Sequence, residues 1–172
     1  MRFTPMTVLD IVSVRTITPE LELAIRLSAA VILGGLIGWD REAKNRPAGL
    51  RTHMLTSLAS AAFAIVALEL MQWAVKQGAS ADPIRAIEAV TAGVAFLAAG
   101  TIIQSRGEVT GLTTGAGMWL AGAIGVACGT GLYSVAVFVT LLALLILAGL
   151  QRLSERVAGE ASPNRGSTKG GR

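Results

Sequence analysis

The sequence predicts an all-α integral membrane protein, a bundle of five transmembrane helices with its N-terminus outside and its C-terminus in the cytoplasm. Three observations predict this fold class. The chain of 172 residues is 52% hydrophobic and 15% charged, whereas a soluble domain carries about 25% charged residues. The charged residues are nearly absent from five apolar segments, most of them long enough to cross a bilayer. The basic residues lie mainly on one side of these segments.

The five predicted spans follow one another with short connections. They cover residues 22–39, 54–75, 86–104, 112–128 and 132–150. A helix rises ~1.5 Å per residue, so a hydrocarbon core of ~30 Å requires ~20 residues. The fourth span is short and rich in glycine, and we therefore expect neighbouring helices to shield it from lipid.

The chain divides into one domain and two flanking regions. Residues 1–21 lack the pattern of a signal peptide and are expected to form a lead-in at the membrane surface. Residues 22–151 form the transmembrane domain. Residues 152–172 are rich in Ser, Gly, Lys and Arg, which predicts a basic cytoplasmic tail that is disordered from Ala158 onward.

The distribution of basic residues predicts the orientation. Ten Lys and Arg residues lie in the first loop, the third loop and the tail, four lie on the other side, and Arg26 lies within a span. Cytoplasmic loops carry the excess of Lys and Arg, so the first loop and the tail are assigned to the cytoplasm. The net charge of +4 is concentrated there, which indicates anionic lipid headgroups as partners and argues against nucleic acid.

The scarcity of reactive side chains argues against catalysis. Cys128 is the one cysteine and His53 the one histidine, which excludes an internal disulfide and a Cys-based zinc site. No nucleophile beside a base, no acid pair at catalytic spacing and no cofactor motif is recognisable in the sequence. We therefore predict a protein that is not an enzyme and has no organic cofactor.

Small residues four positions apart predict where the helices pack, because helices in lipid associate through close backbone contact. The pattern occurs in three pairs, Gly34–Gly38, Gly111–Gly115 and Gly125–Gly129. Glycine is also common in membrane helices generally, so a single pair is weak support. Two of the pairs lie at the ends of the fourth span, which predicts that this helix is central.

Three ionisable residues lie within apolar spans, namely Arg26, Glu69 and Glu88. Each is unfavourable by on the order of 3 kcal/mol at the bilayer centre unless it has a partner, water or a neutral state. All three fall in the outer third of the predicted bilayer, and one interpretation is an outward-facing polar pocket in which Arg26 pairs with a carboxylate. The alternative is that Arg26 extends to the surface and Glu88 is simply interfacial.

The first loop, from Asp40 to His53, alternates charge signs and then turns at Pro47–Gly49. Thr52 is the predicted N-cap of the second span, and the N–H groups there favour an anion such as Asp40, Glu42, a lipid phosphate or a partner's carboxylate. We predict an ordered polar network in which Arg51 makes a two-pronged contact with Asp40. Its members are Asp40, Arg41, Glu42, Arg46, Arg51 and Arg106. The alternative is flanking charge that only sets the orientation.

Three blocks of sequence resemble the MgtC/SapB family of bacterial membrane proteins. They are RLSAAVILGGLIGWDREAKNRPAGLRTHML, AGVAFLAAGTII and RGEVTGLTTGAGMWLAGAIGVACGTGLY. The runs RPAGLRTH and GLTTGAGMW are the most specific, and the family pattern usually has Glu where this chain has Asp40. The likeness covers residues 23–150 in order and with similar spacing.

The resemblance implies a five-span protein of the bacterial inner membrane that acts in magnesium homeostasis and, in pathogens, in virulence. It also implies a membrane complex such as the proton-driven ATP synthase as the partner. Many longer family members carry a soluble domain after the fifth span, so roles that depend on that domain are not expected of this chain.

Two functions are open at this point. The first, which we favour, is a regulator that contacts another membrane complex through its helices. The second is a magnesium transporter or ion-binding protein with Glu69, Glu88 and Asp40 as ligands, because magnesium prefers oxygen donors. Five spans leave little room for the internal repeat of a transporter unless the protein forms a dimer.

Overall fold

The computed structural model describes residues 16–105 and 107–160, and this part of the chain forms five helices and one short hairpin. In chain order these elements are α1 (Glu20–Ala43), α2 (Leu50–Lys76), α3 (Pro83–Ala99), β1 (Ile103–Ser105), β2 (Glu108–Thr110), α4 (Leu112–Gly129) and α5 (Tyr133–Glu160). Each predicted span corresponds to one helix. The predicted helical architecture is therefore confirmed, with the hairpin as an addition.

Three of these helices, α1, α2 and α4, are long and apolar enough to cross a membrane by length and composition. The apolar part of α5, Tyr133–Gly149, is shorter, and α3 has 17 residues. The chain thus has a helical fold of the membrane type. The presence of five spans and the orientation stay predictions.

The third predicted span is wrong at its C-terminal end. We expected helix as far as Gln104, but α3 ends at Ala99 and the chain enters the β1–β2 hairpin, in which Ile103 pairs with Thr110. The β-branched residues Thr101, Ile102 and Ile103 favour extended backbone. Gly107, at φ +87°, supplies the left-handed residue that a tight hairpin turn requires.

The first loop is shorter than expected because both flanking helices extend into it. Helix α1 continues through Ala43, and α2 begins at Leu50 with Gly49 as its N-cap. The prediction of Thr52 as the N-cap is therefore wrong. Pro47 prevents α1 from continuing, and the chain regains helical geometry as soon as it has turned.

The fifth helix extends beyond the predicted end of its span. Helix α5 continues to Glu160, so the disorder predicted from Ala158 does not apply to residues 158–160. Good helix formers such as Arg, Leu and Glu between residues 151 and 160 favour the continuation. The rest of the predicted tail, residues 161–172, and the lead-in before Thr16 lie outside the described residues.

Helix α4 is at the centre of the bundle, as the glycine pattern predicts. It contacts each of the other four helices, and most of its residues are buried. The core around it consists largely of small side chains, namely Ala30, Ala61, Ala127, Cys128, Ala136 and Ala143, together with Ile37 and Ile124. Small side chains allow the close backbone contacts on which helix packing in lipid depends.

The outer surface carries large apolar side chains. Trp39, Phe63, Phe96 and Leu145 are each at least 60% exposed. A soluble protein rarely exposes apolar surface on this scale, whereas lipid solvates it. The pattern of exposure therefore agrees with a membrane protein.

Candidate functional site

Asp40 is at the centre of the polar side chains at the end of the bundle that carries the Lys44–Gly49 loop, here called the loop end. Lys44 Nζ lies 2.7 Å from Asp40 Oδ1, and Arg41 Nη2 lies 3.2 Å from Asp40 Oδ2. Lys44 also donates a hydrogen bond to the carbonyl oxygen of Leu147 at 3.3 Å. Arg41 is only 3% exposed. Asp40 and its two basic partners therefore join α1 to α5.

Glu42 supplies the missing cap of α2. Its Oε2 accepts a hydrogen bond from the N–H of Leu50 at 2.9 Å, and Gly49 itself makes no side-chain cap. A Cβ atom at Gly49 would overlap with this carboxylate, so glycine is needed for it to approach. A carboxylate at a helix N-terminus is favourable. Of the anions considered for this position, Glu42 is the one that occupies it.

The predicted contact between Arg51 and Asp40 is not formed. Within the described residues, the exposed side chains of Arg46 and Arg51 make no hydrogen bond or ion pair. Arg41 lies on the same helix as Asp40, and Lys44 is the C-cap of that helix, so both reach the carboxylate within about one turn and it is already paired. Arg106, the sixth member of the predicted network, lies outside the described residues.

His53 is the largest of the polar side chains that are less than 2% exposed in the described part of the chain. It is completely buried, and Nδ1 donates a hydrogen bond to the carbonyl oxygen of Gly49 at 2.9 Å. A Cβ at Gly38 would lie 3.0 Å from His53 Cβ, and one at Gly117 would lie 3.2 Å from His53 Nε2. The ring thus fits between α1 and α4 because both helices have glycine there. Nε2 has no hydrogen-bond partner among the described residues.

Two serines continue the buried polar face of α2. Ser57 and Ser60 are at most 1% exposed, and within the described part of the chain neither Oγ has a hydrogen-bond partner. With His53 they occupy positions i, i+4 and i+7, which lie on one face of a helix. Sequence reasoning missed this face, although polar residues at helical spacing in an apolar span are a recognisable signal.

The six glycines predicted to mediate packing all lie at close contacts. Gly34 and Gly38 of α1 contact α2, where a Cβ would lie 2.6 Å from Ser57 Cβ and 2.8 Å from Leu50 Cα. Gly111 contacts the backbone of Thr101, and Gly115 contacts the carbonyl oxygen of Ala98. Gly125 contacts the backbone of Ser57, and Gly129 contacts the carbonyl oxygen of Ala61. A side chain at any of them would separate two elements.

Arg26 acts at the opposite end of the bundle. It pairs with Glu22, one turn earlier on α1, and Nη1 donates to the carbonyl oxygen of Gly129 at 2.7 Å. Arg26 does pair with a carboxylate, but with Glu22 and not with Glu69 or Glu88. Since Gly129 is the last residue of α4, the guanidinium satisfies one of the carbonyl groups that a helix end leaves free.

Glu69 binds backbone N–H groups, and it forms no ion pair with any residue that the structure describes. Its carboxylate accepts hydrogen bonds from the N–H groups of Ile17 at 2.6 Å and Thr18 at 2.8 Å. It therefore holds the segment that leads into α1 against the end of α2. Within the described residues, Glu69 forms no hydrogen bond or ion pair with Arg26, so the predicted pairing of these two residues is not observed.

Among the three acids proposed as magnesium ligands, Asp40 lies far from Glu69. Glu69 is hydrogen-bonded to Thr18. Asp40 lies 22 residues after Thr18, and nearly all of these residues belong to α1. Glu69 and Asp40 are therefore about 30 Å apart. Glu88 is exposed on α3. In the described ranges, no group of three His, Cys, Asp or Glu side chains is placed to hold a metal ion.

A cleft separates α2 from α3. It has a volume of about 400 Å³ and is mostly apolar. Its walls include Ser60 and Phe63 of α2 and Ala89, Gly93 and Leu97 of α3. The buried residues of α3 are Val94 and Ala98.

Comparisons with known proteins identify relatives over most of the chain. The sequence profile of the MgtC family matches residues 27–156. Protein SrpB of Synechococcus elongatus is 37% identical over 149 residues, which cover 80% of this chain and 79% of SrpB. No solved structure matches the chain.

Two further relatives are longer than the matched region. The protein named "Putative magnesium transporter YhiD" of Escherichia coli K12 is 36% identical over 137 residues, which cover 79% of this chain and 64% of YhiD. Protein MgtC of Brucella abortus strain 2308 is 36% identical over 135 residues, which cover 78% of this chain and 54% of that protein. The chain thus matches less than two thirds of either protein.

Proposed function

Because this chain belongs to the MgtC family, we propose that it is a non-enzymatic, multi-pass protein of the bacterial inner membrane that supports magnesium homeostasis and adaptation to low magnesium. In this proposal it acts by contact within the membrane with another complex. The proton-driven ATP synthase is the partner that the family resemblance implies.

The position of the acidic side chains is the observation that supports a regulator most strongly. Asp40 is paired with Lys44 and Arg41 at the loop end, and Glu69 binds two backbone N–H groups about 30 Å away. A magnesium ion needs several oxygen donors at 2.0–2.1 Å in near-octahedral geometry. In this arrangement Asp40 and Glu69 do not converge on one ion, which supports a regulator over a transporter.

The surface of the bundle is suited to contact with other helices. Large apolar side chains point outward, and the cleft between α2 and α3 is open to the surroundings of the bundle. Helices associate in lipid through close packing of complementary surfaces, which small residues allow. A surface with a cleft and small side chains therefore offers a specific contact. This supports a role in binding a partner within the membrane.

Transport of magnesium is the second candidate function, and the name of the E. coli relative YhiD favours it. In that case the ligands would be Glu69, Glu88 and Asp40, and the bundle would have to rearrange to bring them together. Uptake of magnesium by liposomes that contain the purified protein decides between the two functions. We expect no uptake above that of empty liposomes. Saturable uptake that Glu69→Gln abolishes would establish transport instead.

The regulatory role has its own test. A strain that lacks the gene should grow poorly at limiting magnesium, and the protein carrying an affinity tag should co-purify with ATP synthase subunits from membranes. A tagged, unrelated five-helix membrane protein at equal abundance is the control. Normal growth of the deletion strain would contradict the proposed role in magnesium adaptation, and equal recovery of ATP synthase with both proteins would exclude the proposed partner.

A further inference from the structure

The walls of the cleft between α2 and α3 suit a hydrocarbon chain. The cleft has a volume of about 400 Å³, and ligand pockets in proteins usually measure ~300–1,000 Å³. Its exposed wall residues include Ala59 and Phe63 of α2 and Gly93 of α3. The two hydroxyl residues on its walls, Thr56 and Ser60, are only 6% and 1% exposed. A molecule in the cleft therefore meets almost only apolar surface.

The cleft is too small for a whole helix. Its wall on α3 runs from Ala89 to Leu97, which is about 12 Å along the helix axis. A helix with its side chains is about 10–12 Å across, so a 12 Å length of it occupies roughly 900 Å³ or more. A Cβ at Gly93 would meet no atom of the described residues within 4 Å. The space is thus left open by this chain and fits a thin, flexible chain.

An exposed row of residues on α2 connects the loop end to this cleft. Arg51, Leu55, Ala59 and Phe63 are four positions apart and all exposed, and residues at this spacing form one inclined ridge on a helix. We name these four residues the α2 row. It begins in the first turn of α2 and reaches the cleft at Ala59 and Phe63. Its length of about 18 Å is close to the ~15 Å depth of hydrocarbon in one leaflet of a bilayer.

The α2 row begins with a positive charge that is not balanced nearby. Arg51 makes no hydrogen bond or ion pair within the described residues. The acids of the loop end are already engaged, Asp40 with Lys44 and Glu42 with the N–H of Leu50. Arginine at the edge of a bilayer attracts anionic lipid, and its guanidinium binds phosphate through two hydrogen bonds. The row therefore offers a phosphate partner at one end and an apolar cleft at the other.

We propose that an anionic glycerophospholipid binds along the α2 row, with its phosphate at Arg51 and one acyl chain in the cleft between α2 and α3. Such a lipid carries a negative headgroup and a hydrocarbon chain in the same order as the row. A zwitterionic lipid has the same chains but no net charge, so it binds less tightly. The inference goes beyond the function proposed above and does not depend on it. A partner helix at the cleft is the alternative that the experiment distinguishes.

Photocross-linking from the cleft wall identifies its occupant. The photoreactive residue p-benzoylphenylalanine replaces Phe63 or, as the matched control, Phe138 of α5, and these side chains are 63% and 64% exposed. After irradiation of native membranes, mass spectrometry should find phospholipid adducts at both positions. The ratio of anionic to zwitterionic lipid should be about fivefold higher at Phe63, the effect expected of one arginine. Adducts mainly with a protein at Phe63, or equal lipid ratios at the two positions, would overturn the proposal.

Substitution of Arg51 in the photoreactive protein tests the place of the phosphate. Arg51→Gln removes the charge and should lower the lipid ratio at Phe63 to that at Phe138. Arg51→Lys retains the charge and should keep most of the preference for anionic lipid. Arg85→Gln, at an exposed position at the other end of the bundle, is the control and should change nothing. An unchanged ratio in Arg51→Gln would contradict the assigned phosphate site.

Filling the cleft tests the place of the acyl chain. Gly93→Leu adds a side chain where there is open space, so the protein should fold and the lipid adducts at Phe63 should largely be lost. Gly149→Leu adds the same side chain at an exposed position of α5 and should leave the adducts unchanged. Thermal stability in detergent shows whether each variant folds. Equal adduct yields in the two folded variants would contradict the proposal, and the lipid ratio at Phe63 without either substitution decides the matter if Gly93→Leu does not fold.

Discussion

At the scale of single residues, most side-chain hydrogen bonds in the described part of the chain are made to backbone groups. Glu42 binds the first N–H of α2, Glu69 binds two N–H groups before α1, and Arg26 binds the last carbonyl of α4. Free backbone groups at helix ends are unfavourable where water is scarce. The charged residues near the membrane boundary therefore stabilise helix ends, and their presence alone does not indicate an ion path.

The cap formed by Glu42 leads to a prediction about stability. Glu42→Ala should lower the free energy of unfolding by about 1 kcal/mol, since it removes the acceptor for the Leu50 N–H. Glu42→Gln keeps an acceptor oxygen and should lose less. Arg51 lies in the first turn of α2 and makes no polar contact in the described structure. The free energy of unfolding of Arg51→Lys should therefore stay within about 0.5 kcal/mol of the wild type. Unfolding in detergent measures all three, and equal loss in Arg51→Lys and Glu42→Ala would contradict this assignment.

His53 leads to a second prediction at this scale. His53→Ala should destabilise the protein by about 3 kcal/mol, because the ring fills a site between two glycines that have no side chain to replace it. His53→Asn retains a donor near the position of Nδ1 and should lose less. Thr52→Ala, at the neighbouring partly exposed position, is the control. A His53→Ala protein as stable as Thr52→Ala would show that the ring does not contribute to packing.

At the scale of elements, the closeness of the helices depends on glycine. Helix α4 is both short and central, and its glycines allow the backbones of α2 and α3 to reach it. Each such contact between helices contributes van der Waals energy. Contacts between a helix and lipid also contribute, but they do not select one helix arrangement. The packing of α4 is therefore sensitive to single methyl groups.

This sensitivity is testable with a matched pair of substitutions. Gly125→Ala should impair folding strongly, because its Cβ would lie 2.8 Å from Ser60 Cβ and closer still to the backbone of Ser57. Gly149→Ala adds the same methyl group to α5, where no atom of the described residues lies within 4 Å, and it should be neutral or slightly stabilising. Yield from membranes and thermal stability in detergent are the measurements. Equal behaviour of the two variants would refute the role assigned to α4.

At the scale of the whole molecule, the orientation is the main prediction left open. Cysteines at Ala43 and Ser167 should resist a membrane-impermeant thiol reagent in intact cells, and one at Gly78 should react. The reason is the excess of Lys and Arg on the side of the first loop and the tail. Ala43 is the exposed last residue of α1, next to the loop that leads into α2, and exposed Gly78 follows the other end of α2, so they report on the two sides. Labelling of Ala43→Cys and Ser167→Cys but not Gly78→Cys would reverse the assignment.

The sequence by itself determined the class of the protein, the five helical segments and the centrality of α4. These follow from composition and from the spacing of small residues, which are local properties. It also identified the side chains of the first loop as a polar group, although it placed the helix boundaries and the cap of α2 incorrectly. The hairpin was missed because a short β-branched run between helices is also compatible with the end of an apolar helix.

Only the tertiary structure decided which polar groups pair. Asp40 binds Lys44 and not Arg51, Glu69 binds backbone near Thr18, and Arg26 contacts the end of α4. These partners are separated in sequence by between four and 103 positions, and several candidates of the right charge compete for each. The partner that each side chain binds depends on how closely the helices approach and on which helix face carries the side chain. Both result from packing between helices.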